Sequence, residues 1–254
     1  MKLFSHKYIP AVALGCGAIG FTLRQAVEYG CIDEKGLYLT GHPLYISLFV
    51  LSALVLIWLF VSCRKLTGKL AHAPSAVALA GSIIAASGIL YAVVEELVHN
   101  LQQSFVLHND NNDFSLIVSA VCFVLGILAA GALVFSGILQ QKNKPVHYLF
   151  YAVLTVYLLI HPLSQYRMWS SDPQLLHYGF HLLASISLLL STYHRAALAG
   201  GMNDTRRYIF FSHLALFFCC LSIQGESWLF YLSMALWIAT NPAQLPEEEN
   251  DVSA

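Results

Sequence analysis

Long apolar runs separated by short polar joints make up this chain, and within the runs the apolar positions are continuous rather than alternating. A run of about 20 such residues is the length of a bilayer-crossing helix. A membrane β-strand would alternate apolar and polar positions, so a β-barrel is excluded. The pattern predicts an all-α, polytopic transmembrane helix bundle. Its eight spans are placed at about 8–27, 43–63, 74–99, 114–139, 146–163, 174–198, 207–223 and 227–241.

Local signals set most of these bounds. Pro43 suits the first turn of the second helix. Pro162 is expected to stop the fifth, and Gly200-Gly201 to break the chain after the sixth. Thin faces for close packing are expected at Gly15, Gly17 and Gly20, at Gly81, Ala85 and Gly88, and at Gly126, Ala130 and Gly131. The region 207–240 is ambiguous. As one helix it would run about 51 Å at 1.5 Å per residue, against a hydrocarbon core of about 30 Å. Gln224-Gly225-Glu226-Ser227 is therefore read as a polar turn between two short helices; seven spans result if it is not a turn. Residues 1–245 form a single transmembrane domain, and 246–254 a short acidic tail. Lys2 and Lys7 before an apolar run imitate a signal peptide. The run continues through Ile19, Phe21 and Leu23, beyond the roughly 7–15 residues of a cleaved segment, so a retained first helix is expected.

Composition sharpens the class. Only 11% of the 254 residues are charged and 57% are apolar, whereas a soluble domain carries about 25% charged residues. The lipid bilayer is thus the first partner. A net charge of −1 offers nothing to nucleic acid, and no nucleotide-binding loop is present. The six cysteines show no CxxC spacing and read as small buried hydrophobes, not as a disulfide or zinc framework.

Counting Lys and Arg orients the bundle. One side holds Lys2, Lys7, Arg64, Lys65, Lys69, Lys142, Lys144, Arg195, Arg206 and Arg207; the other holds Arg24, Lys35 and Arg167. This places both termini in the cytoplasm. The short loops suit a bacterial plasma (cell) membrane.

That topology gathers polar side chains at the outer helix ends: Arg24, Glu28, Glu95, Glu96, His99, His161, His177 and His181. Charges so close to hydrocarbon have a partner or a purpose. Three spacings carry chemistry. Glu96-x-x-His99 puts a carboxylate and an imidazole on one helix face, with Glu95 nearby. His177-x-x-x-His181 lies one turn apart. With Glu96 and His161 it would form a His/carboxylate zinc set with an open position; no other cofactor is implied. Arg24 can form an ion pair with Glu28, Glu95 or Glu96. Against these stands simple snorkelling of helix-end side chains to water. His147, His194 and His213 are expected near lipid headgroups, and Trp58, Trp169, Trp228 and Trp237 in interfacial belts.

In order, Glu95-Glu96-x-x-x-Asn100, Tyr157-x-x-x-His161 and His177-x-x-x-His181 resemble the three short motifs of the intramembrane CAAX-type proteases. Asn100 stands where that pattern has Arg, Tyr157 where it has Phe, and His181 where it has Asn. The resemblance implies that Glu95 or Glu96 would activate water, with His161 and His177 orienting it or stabilising an oxyanion. The leading expectation is binding or transport of a small polar or ionic ligand in an outward-facing polar cluster. The alternatives are a metal-assisted or glutamate-type intramembrane hydrolase and a structural or accessory subunit.

Overall fold

The computed structural model describes residues 9–31, 41–64, 76–107, 113–169, 178–202, 204–225 and 227–241. They form eight α-helices: α1 (Ile9–Gly30), α2 (Pro43–Cys63), α3 (Ala76–Leu107), α4 (Asp113–Gln141), α5 (Tyr148–Trp169), α6 (Gly179–Ala199), α7 (Thr205–Leu221) and α8 (Trp228–Thr240). No strand occurs among the described residues. α1 to α6 are long and apolar enough to cross a membrane. His177, the 32–40 connector and the acidic tail lie outside the described residues.

The exterior is what lipid requires. Leu54, Ile57 and Phe60 on α2, Ile117 and Phe135 on α4, and Leu163 on α5 are exposed, while Arg24, Glu96, His161, His181 and Arg195 are buried. A soluble protein would arrange these types the other way round.

The order of contacts explains the core. Each helix from α3 to α8 packs on the next, and α8 returns to α3, while α1 and α2 lean on α7 from outside. α7 and α8 have 17 and 13 residues, or about 26 Å and 20 Å of rise, less than a hydrocarbon core. They need not reach both surfaces because protein covers them: α7 is buried along nearly its whole length. The turn predicted between them is real, with Gly225 at φ +72°, a conformation open to glycine at little cost.

Two boundaries differ from expectation. α3 runs on to Leu107 instead of ending at His99, because 100–107 contains no glycine or proline to stop it. α5 passes through Pro162 and ends at Trp169. Proline removes one N–H, the one that would bond the Leu158 carbonyl, and such a defect is tolerated in membrane helices when neighbours pack around it.

Small residues let the short helices in. A Cβ at Gly81 would collide with Thr240, and one at Gly88 with Ser233 and, at 3.3 Å, the Leu229 carbonyl of α8. Gly17 sits 2.9 Å (from an added Cβ) from Cys220 of α7, with Gly20 against Leu221. Gly15 and Gly131, expected on such faces, have open space around them.

Gly88→Val should therefore destabilise the protein by about 1–3 kcal/mol through overpacking, whereas Gly131→Ala should stay within about 0.5 kcal/mol. Thermal unfolding of the two variants in detergent checks this; equal melting temperatures would refute close packing of α3 on α8.

Candidate functional site

On a helix adjacent residues are about 100° apart, so Glu95 and Glu96 cannot share one environment. Glu96 turns inward and is 5% exposed. Glu95 is half-buried and accepts from the Tyr91 hydroxyl at 3.4 Å. His99 is also half-buried, and Asn100 donates to the Glu96 carbonyl at 3.0 Å.

Glu96 meets α5. Ser164 Oγ donates to its Oε1, and His161 Nδ1 stands 3.4 Å from Oε2. His161 and Ser164 are i, i+3 on one face, and they reach the same carboxylate because α5 continues through Pro162. Gln165 and Cys122 of α4 lie beside the group. Tyr157, one turn before His161, stacks its ring on the imidazole, with centroids 5.3 Å apart and planes at 17°. Phe230 of α8 also packs on the imidazole, ring centroids 5.1 Å apart and planes at 59°. The glycine at 126 allows this approach, since a Cβ there would press on Val93 and the Tyr157 ring.

The contact between Glu96 Oε2 and His161 Nδ1 is within ion-pair distance but lacks the alignment of a hydrogen bond. Among the described residues neither atom has another protein partner, and the fully buried Tyr157 hydroxyl has none. Two buried polar atoms thus face each other from two helices with hydrogen-bonding capacity left over, and the Tyr157 hydroxyl belongs to the ring stacked on the imidazole. A buried polar group normally has a partner, and leaving one without costs about 1–3 kcal/mol.

Arg24 and His181 do something different. Arg24 Nη1 donates to the Leu221 carbonyl at 2.6 Å, and its Nε lies 3.8 Å from Glu28. His181 Nε2 is 3.1 Å from the Gln224 carbonyl. Both side chains bind the turn between α7 and α8, where helix-end carbonyls have no partner within the helix. Arg24 also places a cation at the negative end of α7. Tyr231 fastens the same corner: its hydroxyl donates to the His181 carbonyl at 3.2 Å and contacts Ser185 at 3.1 Å. The eight residues expected in one cluster therefore divide. Glu96 and His161 form the carboxylate–imidazole pair; Arg24 and His181 hold the turn, with Glu28 beside Arg24; Glu95 and His99 are half-buried on α3; His177 is outside the described residues. Rings bridge the two groups, from His161 through Phe230 and Tyr231 to His181. No three His, Cys, Asp or Glu side chains among the described residues are grouped to hold a metal ion.

At the opposite end lies a polar centre that sequence reasoning used only as a topology marker. The buried Arg195 guanidinium sits over the rings of Tyr151 at 4.8 Å, Trp237 at 5.1 Å and Tyr208 at 5.8 Å. Its Nη2 donates to Asn241 at 3.4 Å. Trp237, expected in an interfacial belt, is buried in the protein and covers this cation. His213, expected at headgroups, is a core residue bonded to the Ile209 carbonyl at 2.7 Å. His194 is likewise buried, bonded to Asp204 and stacked on Phe211.

Comparison of the chain with family models, with curated proteins and with solved structures finds no match.

Arg24→Leu should cost about 1–3 kcal/mol by leaving the Leu221 carbonyl buried without its donor. It should also speed maleimide labelling of Cys220, which packs beside the turn against Gly17. Unchanged labelling and melting temperature would show that Arg24 does not hold the turn.

Proposed function

We propose that this membrane protein binds, and passes, a small polar or ionic ligand at the Glu96–His161 pair. The observation that carries the reading is a buried carboxylate oxygen and a buried imidazole nitrogen, Glu96 Oε2 and His161 Nδ1, 3.4 Å apart with hydrogen-bonding capacity left over, beside the buried Tyr157 ring that stacks on the imidazole. Intramembrane carboxylates and histidines that face a bundle interior mark ion and proton pathways. The pair carries −1 or zero charge depending on one proton, so a proton, a small cation or a neutral polar solute suits it better than an anion. The excess of Lys and Arg on one side supports an orientation with both termini in the cytoplasm of a cell whose plasma membrane it spans.

A second reading rests on the same two residues. A carboxylate beside an imidazole can take a proton from water, which is the chemistry of a glutamate-type intramembrane hydrolase. Glu96 and His161, one residue from each of two motifs that resemble those proteases, are neighbours here. Zinc would need further ligands, of which His177 is the remaining candidate.

Purified protein titrated with protons, Na⁺, K⁺, Mg²⁺ and Zn²⁺ should show a rise in melting temperature with one of them. Glu96→Gln and His161→Ala should lose that rise, and Glu95→Gln should keep it. No response from any of them, or the same response in Glu96→Gln, would overturn the binding site. Cleavage of a membrane-embedded peptide reporter, lost in Glu96→Gln, would transfer the assignment to hydrolysis.

A further inference from the structure

Where α2 ends and α7 begins, the protein surface has a pocket of about 350 Å³ that the Glu96 site does not use. Three arginines border it: Arg64 at the C-terminal end of α2, and Arg206 and Arg207 in the first turn of α7. Its walls are the rings of Phe60, Phe210 and Phe211. Phe60 and Phe210 meet edge to face, centroids 6.3 Å apart, and the buried Cys63 also lines the pocket.

The charge here is out of balance. Asp204 lies 3.6 Å from Arg207 and is also bonded to His194. Arg64 and Arg206 have no carboxylate within ion-pair distance among the described residues. All three guanidiniums are exposed, so they can turn toward one anion. Arginine's planar fork matches a phosphate oxygen pair.

The surroundings decide what kind of anion. From Phe60 an exposed apolar strip runs up α2 through Ile57 and Leu54, with Val61 beside it. That strip faces lipid. A free phosphate would use the arginines and leave the rings and the strip idle. A phospholipid uses both: its phosphate on the arginines, and its acyl chain along the three rings and α2.

We propose that this pocket is a binding site for an anionic phospholipid, with Arg64 and Arg206 as its principal phosphate ligands and Arg207 as a third, partly neutralised by Asp204. The α2–α7 seam is thereby closed by a lipid held at a defined place. Each arginine near an anionic headgroup strengthens binding by roughly fivefold.

The test titrates the purified, delipidated full chain with dioctanoyl phosphatidylglycerol below its micelle concentration, following melting temperature and retained lipid by native mass spectrometry. Dioctanoyl phosphatidylcholine and inorganic phosphate serve as comparison probes. The site predicts a saturable rise in melting temperature and one retained phosphatidylglycerol. Phosphatidylcholine and phosphate should give neither at equal concentration. Arg64→Gln and Arg206→Gln, both on exposed side chains, should each weaken the response about fivefold. Lys142→Gln with Lys144→Gln, two exposed cations in the connector between α4 and α5, should leave it unchanged. Equal binding of phosphatidylcholine, or wild-type affinity in both arginine variants, overturns the site. An equal response to phosphate shows an anion site without a lipid and overturns the assignment to lipid. Equal weakening by the lysine pair shows diffuse attraction and overturns the pocket.

Discussion

The fold depends on how it accommodates two helices too short to cross a bilayer. A chain that turns back inside the hydrocarbon exposes helix-end carbonyls and N–H groups where water cannot reach them, and each unmet group costs several kcal/mol. This bundle meets the constraint with side chains brought from other helices. Arg24 of α1 takes the Leu221 carbonyl, and His181 of α6 takes that of Gln224. The glycine faces of α1 and α3 then let α7 and α8 come close enough for those bonds to form. Packing and polar satisfaction are one requirement here. Without the glycines the hairpin would stand off, and without Arg24 and His181 its turn would be too polar to bury.

The same constraint separates the polar interior into centres at opposite ends. Near the α7–α8 turn sits Glu96 with His161; near the start of α7 sits Arg195. Between them the core is apolar, built from Leu154, Leu158, Ala184, Leu188, Phe217 and Met234. The two centres are chemically unlike. Arginine stays charged in any protein environment, so Arg195 is accommodated by aromatic faces and the Asn241 amide. A carboxylate next to an imidazole can change the net charge of the pair by gaining or losing one proton. Arg195 is suited to holding α5, α6, α7 and α8 together, and Glu96 to the binding role proposed for it.

The class of the fold was legible because it rests on run length and on the scarcity of charge, both local properties. The second helix was placed to the residue, since Pro43 and His42 announce its start. The α7–α8 turn was found by comparing helix length with membrane thickness. What stayed hidden depended on rotation and on partners. Glu95 and Glu96 read alike in sequence, and only the position of α5 decides which one faces inward. Pro162 looked like a stop because the proline rule for isolated helices ignores neighbours that make its defect tolerable. That error hid Ser164, which belongs to the same helix face as His161. Arg195 was read only as a topology marker and Trp237 only as one of an interfacial belt, so their mutual contact stayed hidden.

The arrangement of α5 bears on what the Glu96 site can hold. Tyr157, His161 and Ser164 lie on one stripe at helical spacing, and Phe230 presses on it from α8. Tyr157 and Phe230 both pack on the imidazole, whose Nδ1 stands 3.4 Å from Glu96. Ser164 occupies one carboxylate oxygen and leaves the other turned to His161. One carboxylate oxygen, one imidazole nitrogen and one phenol remain, all on rigid helices. In the proposed binding role, the carboxylate oxygen and the imidazole nitrogen would serve a proton with a water, or a small cation sharing water, and would be too few to strip a large solute of its hydration. On that proposal the limit on size would follow from the aromatic packing, and a preference for positive or neutral occupants from the carboxylate. Both are properties of helix faces, which is why the site could not be recognised from a motif alone.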